Sequence, residues 1–109
     1  MTDGELLRLA AKAIGRKVIG IAQSGFVDAR PIGLYLDDGK DSWNPLADTK
    51  DAFELAVDLK IRIELTEKTT YARQMGKRYE RRQVHHGDAY AATRRAIVYV
   101  AAELGKSMP

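Results

Sequence analysis

Apolar and polar positions recur along this chain with two periods, and the switches between them mark its elements. Near the start, Leu6, Leu9, Ala10, Ala13 and Ile14 follow the i, i+3, i+4, i+7, i+8 spacing of an amphipathic helix. Thr2-Asp3-Gly4-Glu5 forms a capping box ahead of it, the Thr2 hydroxyl accepting from the Glu5 amide and the Glu5 carboxylate reaching back. Gly15 is the expected left-handed terminator, so the first helix is predicted near residues 3–14. Residues 17–23 then read as a strand, with Ser24-Gly25 as its turn. A second strand places Ile32, Leu34 and Leu36 on one face and Gly33 and Tyr35 on the other. Pro31 cannot donate to a sheet ladder and marks a strand start or an edge. Asp37-Asp38-Gly39 ends this strand with turn chemistry.

The second half follows the same logic. Asp48 is a natural N-cap, and Ala52, Leu55, Ala56 and Leu59 form the buried stripe of a helix near residues 49–59. Ile61, Ile63 and Leu65 alternate with Arg62, Glu64 and Thr66, the cleanest period-two segment of the chain and a half-buried strand. Residues 69–75 and 77–84 read as a hairpin turning at Gly76-Lys77. Asp88 caps a last helix, predicted near residues 88–104 and ending at Gly105. Positions 96–101 of that helix are apolar nearly all round, which predicts the most buried helix of the three. Short turns favour antiparallel neighbours, and the helices need a sheet face to cover. The expected fold is α+β, a single domain over residues 1–109. An antiparallel-rich sheet of four or five strands is expected to pack with the three helices.

Composition narrows the class. A chain of 109 residues supports one hydrophobic core, and 30% charged with 45% apolar residues signals neither disorder nor a membrane protein. The longest strongly apolar run, residues 96–102, is far short of the roughly 20 residues of a bilayer span. No basic segment followed by an apolar one opens the chain, and the absence of cysteine excludes disulfides, thiolate metal sites and cysteine nucleophiles. A cytoplasmic location is expected. The net charge of +3 is unevenly spread: residues 1–60 carry ten acids and eight bases, residues 61–109 five acids and ten bases. A basic half recruits phosphates or acidic proteins, or is simply well solvated.

Trp43-Asn44-Pro45-Leu46-Ala47-Asp48 holds the only tryptophan and joins the first hairpin to the second helix. The ring reads as a core plug, with Asn44 and Pro45 fixing the turn and Asp48 starting the helix; the competing role is a stacking platform or interface anchor. Together with Asp51-Ala52, Leu55-Ala56 and Ile61-Arg62-Ile63-Glu64, this loop resembles small bacteriophage proteins of the NinX-like group and the phage ABA (alpha-beta-alpha) sandwich domain. Their closing "xxAAxRAIV" helix is matched by Ala91-Ala92-Thr93-Arg94-Arg95-Ala96-Ile97-Val98. The resemblance covers most of the chain and implies a three-layer alpha-beta-alpha sandwich of phage or prophage origin. It supplies no agreed activity, cofactor or catalytic residue, and residues 69–86 depart from it in being long and basic.

Chemistry-bearing residues are sparse. Asp37, Asp38 and Asp41 lack the alternating spacing and terminal glutamate of a calcium loop and read as a solvated turn. His85-His86 with Asp88 has poor geometry for a shared metal, because neighbours on a strand point to opposite faces. Ser24, Ser42 and Ser107 sit in no nucleophile elbow, and the glycines match neither a P-loop nor a dinucleotide fingerprint. No cofactor, metal or enzymatic activity is expected.

The strongest functional signal is the stretch 73–82. Arg73, Lys77, Arg78, Arg81 and Arg82 stand there against the single acid Glu80, and Tyr71 and Tyr79 are interleaved with them. Arginine forks grip carboxylates and phosphates, and tyrosines stack on bases or pack on a partner. Arg94 and Arg95 either extend this patch or form the outer face of the last helix. The expected function is a non-enzymatic phage accessory protein that binds a host or phage protein. The alternative is a binder of nucleic acid or of a phosphorylated or nucleotide ligand through the basic hairpin. Self-association is open in both.

Overall fold

A computed structural model describes residues 1–23, 31–37, 42–76 and 78–109. The elements run α1 (Asp3–Ala13), β1 (Val18–Gln23), β2 (Pro31–Leu36), β3 (Ser42–Trp43), α2 (Thr49–Leu59), β4 (Ile61–Leu65), β5 (Thr69–Gln74), β6 (Glu80–Val84) and α3 (Ala89–Lys106). The three helices and the antiparallel α+β class agree with the sequence. The expected Ser24-Gly25 turn, the Asp38-Gly39 part of the second turn and the acids Asp38 and Asp41 lie outside the described residues, as does Lys77.

The sheet differs from expectation. Among the described residues the strands form two three-stranded antiparallel sheets, β1-β2-β3 and β4-β5-β6, rather than one sheet of four or five. The short strand Ser42–Trp43 folds back on β2, pairing Trp43 with Leu34, and so completes the first sheet locally. The layering differs too. Leu7 and Ala11 of α1 pack against Leu34 and Leu36 of the first sheet. Leu6 and Ala10, one position round the helix, join the core formed by α2, α3, Ile61 and Ala72. The helices α1 and α3 therefore run between the two sheets, so the described strands are not a central layer flanked by helices.

Each helix starts as its sequence dictates. The Glu5 amide donates to Thr2 Oγ1 at 3.2 Å, the Asp51 amide to Asp48 Oδ1 at 3.0 Å and the Ala91 amide to Asp88 Oδ1 at 3.0 Å. The return bond of the Thr2–Glu5 box is not among the described bonds. Gly15 has φ of 72° after the C-cap Ile14, as a left-handed terminator should. Gly105 does not terminate α3, which continues to Lys106. It is buried against the backbone of Leu9, and a Cβ there would overlap the Leu9 carbonyl. This glycine lets α1 and α3 approach closely, a role continued by Ala10, Ala96, Ala101 and Ala102, all with no exposed surface.

Candidate functional site

The Trp43 loop is a tightly bonded joint. The Asn44 side chain accepts from the Leu46 amide at 3.0 Å, and the Asn44 carbonyl accepts from the amides of Ala47 and Asp48. Pro45 is fully buried. Trp43 is half-buried, and with Leu46 it packs against both hydrophobic clusters. Arg94 of α3 donates to the Leu46 carbonyl at 3.0 Å and to Thr49 Oγ1 at 3.1 Å, clamping the loop to α3. These contacts give Trp43, Asn44, Pro45 and Asp48 a structural part.

Asp51 closes the same joint, its Oδ2 accepting from the Asn44 amide at 3.0 Å. Burial pushes the Asp51 carboxyl above the usual 3.8, against the lowering effect of that bond. An acid with a raised value binds its proton more tightly in the folded chain. Its contribution to stability is therefore greatest below 3.8 and is lost as pH rises through the raised folded value. Asp51→Asn keeps an acceptor for Asn44 without the charge. It should stabilise the protein at neutral pH, with the gain shrinking near about pH 3 in paired urea melts. A gain independent of pH, or a loss at neutrality, would contradict this account.

The basic hairpin is divided by its register. On β5 and β6, Tyr71 pairs with Arg82, Ala72 with Arg81 and Arg73 with Glu80. On the other side Arg62 pairs with Arg73 and Glu64 with Tyr71. Alternation sends Arg62, Glu64, Tyr71, Arg73, Glu80 and Arg82 to the outer face, where all six are exposed and line a shallow concavity of about 340 Å³. Among the described residues none of these three arginines has a carboxylate within ion-pair distance.

The remaining hairpin residues do other work. Arg81 points inward and lies over the Tyr99 ring of α3, 3.9 Å from its centroid, while Tyr79 packs on the core. Arg78 is exposed in the turn. Arg95 pairs with Asp3 at 3.2 Å and Arg94 is held in the loop clamp, so neither extends the patch. Arg62 and Glu64 belong to the face although the hairpin's composition gave no sign of them; the alternation of residues 61–66, read with the pairing, is the signal.

The other candidates are tied into the fold. His85 Nε2 lies 2.8 Å from the buried Thr70 hydroxyl, which is also 2.8 Å from that of Thr93, so this polar trio joins β5 and β6 to α3. Asp88 caps α3. The Ser107 hydroxyl donates to the Leu104 carbonyl at 2.9 Å. Asp37 accepts from Arg16 at 2.6 Å, and that guanidinium holds its carboxyl below the usual value. Among the described residues no group of three or more histidine, aspartate or glutamate side chains is placed to hold a metal. Among the described residues no helix is long and apolar enough to cross a membrane.

Fold and face together define a small α+β protein with an open, arginine-rich face on its second sheet. No protein-family model, curated protein or solved structure matches the chain.

Proposed function

We propose that this chain is a non-enzymatic binding protein, and that the outer face of β4–β6 is its working surface, directed at an acidic patch on a protein partner. The observation that carries this is Tyr71, 41% exposed at the centre of the face, with Arg73 beside it on β5 and Arg82 opposite it on β6. Arginine and tyrosine dominate the energetics of protein interfaces, and unpaired guanidinium forks suit carboxylates. Glu64 and Glu80 among them favour a partner of mixed charge over a uniform phosphate backbone. The resemblance of the Trp43 loop and of α3 to small bacteriophage proteins supports an accessory role in the cytoplasm of a bacterial host.

Tyr71 between arginines also suits stacking on a base, so a nucleic acid or nucleotide ligand is the second reading. Capture from nuclease-treated bacterial lysate separates the two. A protein partner should survive nuclease and fall away with Arg73→Glu plus Arg82→Glu, both exposed, while the melting temperature holds. Nuclease-sensitive capture that falls steeply with salt would favour the second reading. Capture unchanged by the double reversal would make the face a solvated surface only.

A further inference from the structure

The strand β4 is an edge of the second sheet, and its sequence Ile61-Arg62-Ile63-Glu64-Leu65 is complementary to itself when reversed. In the β4–β5 ladder the Thr66 amide bonds the Thr69 carbonyl and the Met75 amide bonds the Lys60 carbonyl. Alternation therefore turns the backbone groups of Arg62 and Glu64 toward β5 and those of Ile61, Ile63 and Leu65 toward the open edge. No register shift interrupts the pairing, no proline or lysine stands in the strand, and its two charges, Arg62 and Glu64, are of opposite sign and so do not repel a reversed copy of the same strand.

We infer that a second copy of this chain pairs with β4 across a two-fold axis at Ile63, joining the two second sheets into one continuous antiparallel sheet. In that register Ile63 meets its own counterpart, and Ile61 meets Leu65 of the second copy. All three are the residues whose N–H and C=O face outward, so each pair exchanges both backbone bonds. Arg62 falls opposite Glu64 of the second copy, and Glu64 opposite its Arg62. These are the closely spaced, non-hydrogen-bonded positions, where side chains on one face lie nearest. One strand thus supplies backbone, apolar and charge complementarity in a single register, as a self-complementary two-fold interface requires.

The helical side agrees. The two-fold stands perpendicular to the sheet, so the helices of both copies lie on the same side of it. Phe53 of α2 shares a groove of about 390 Å³ with Ile63 and Leu65 of β4 and Tyr90 of α3. Phe53 is 65% exposed, Leu65 64% and Val57, one turn beyond Phe53, 49%. A strand added beside β4 covers Leu65 and brings the two α2 helices together along their Phe53–Val57 faces. The opposite edge, β6, does not give the same match when paired about its central residue: its outward-facing residues are Glu80, Arg82 and Val84, and a two-fold at Arg82 sets that arginine against itself. Pairing through β4 leaves Tyr71, Arg73 and Arg82 open, so it stands whatever the outer face binds.

The test needs no ligand: light scattering coupled to size exclusion on the full chain, from about 1 to about 500 µM, where mass action separates monomer from dimer. The wild type should be dimeric at the upper end. Arg62→Glu and Glu64→Arg, each placing like charges opposite one another twice, should each weaken the dimer about tenfold or more. Both residues are exposed and free of ion pairs among the described residues, so thermal melts at low concentration should stay at the wild-type value. The double exchange Arg62→Glu with Glu64→Arg restores the complementarity and should restore the dimer. A wild type monomeric at about 500 µM overturns the inference, as does a dimer indifferent to the single reversals or not recovered by the exchange.

Discussion

Gly105→Ala should lower the stability of the protein by about 2 kcal/mol, although alanine is the better helix former by about 1 kcal/mol. The substitution adds one methyl group, but at this position it falls on the Leu9 carbonyl, with the Leu9 Cα only 3.3 Å away. Backbone cannot rotate aside as a side-chain tip can. Either α1 and α3 move apart, opening the alanine-lined seam between them, or the last turn of α3 unwinds. That turn is held by the Ser107 amide on Glu103 and the Met108 amide on Gly105, and the Met108 carbonyl accepts from Lys12. A drop of about 10 °C in melting temperature is expected for a chain of this size. Gly4→Ala is the control, because its new methyl meets only Thr2 Oγ1 at 3.9 Å, and it should be neutral or gain a few tenths of a kcal/mol. A Gly105→Ala variant melting at or above wild type would mean that the helices are not in backbone contact there.

Gly105 also shows where the sequence stops being legible. A glycine near the end of a helical pattern has two meanings, terminator or point of close approach, and only the position of α1 decides between them. Gly15 looks the same in sequence and is the terminator, because nothing lies within 4 Å of its would-be Cβ. The caps Thr2, Asp48 and Asp88 were readable because a cap acts within three or four residues of itself. The alternation of residues 61–66 was readable for the same local reason, yet it did not reveal that burial fades from Ile61 to Leu65 at an open edge. The division into two sheets rests on which hairpins fail to pair with each other, which no local pattern records, and the third strand of the first sheet, Ser42–Trp43, is too short to carry a period. In the candidate site, composition marked the basic hairpin, but only pairing separates Arg82, on the outer face, from Arg81, stacked on Tyr99. Arg62 and Glu64 enter the face from a different segment, which no local pattern joins to the hairpin.

Trp43→Ala should cost about 3 kcal/mol, the lower end of the range for a large aromatic because the ring is half-buried rather than enclosed. Its distinctive effect should lie in cooperativity. Trp43 and Leu46 are partly buried side chains that touch both clusters, the one under the first sheet and the one shared by α2, α3 and the second sheet. Trp43 also pairs with Leu34, and its carbonyl lies where a Cβ on Gly33 would be only 2.7 Å away, so β2 and the loop are fitted closely. Removing the ring leaves α1 to carry most of the connection between the sheets. Amide exchange in β2 should then accelerate more than in β5, as a locally opening unit does, while Trp43→Phe should keep most of the protection. Equal acceleration in both sheets would make the ring ordinary core. An unchanged melting temperature with loss of a captured partner would instead place the binding surface at the Trp43 loop and remove the argument for the β4–β6 face.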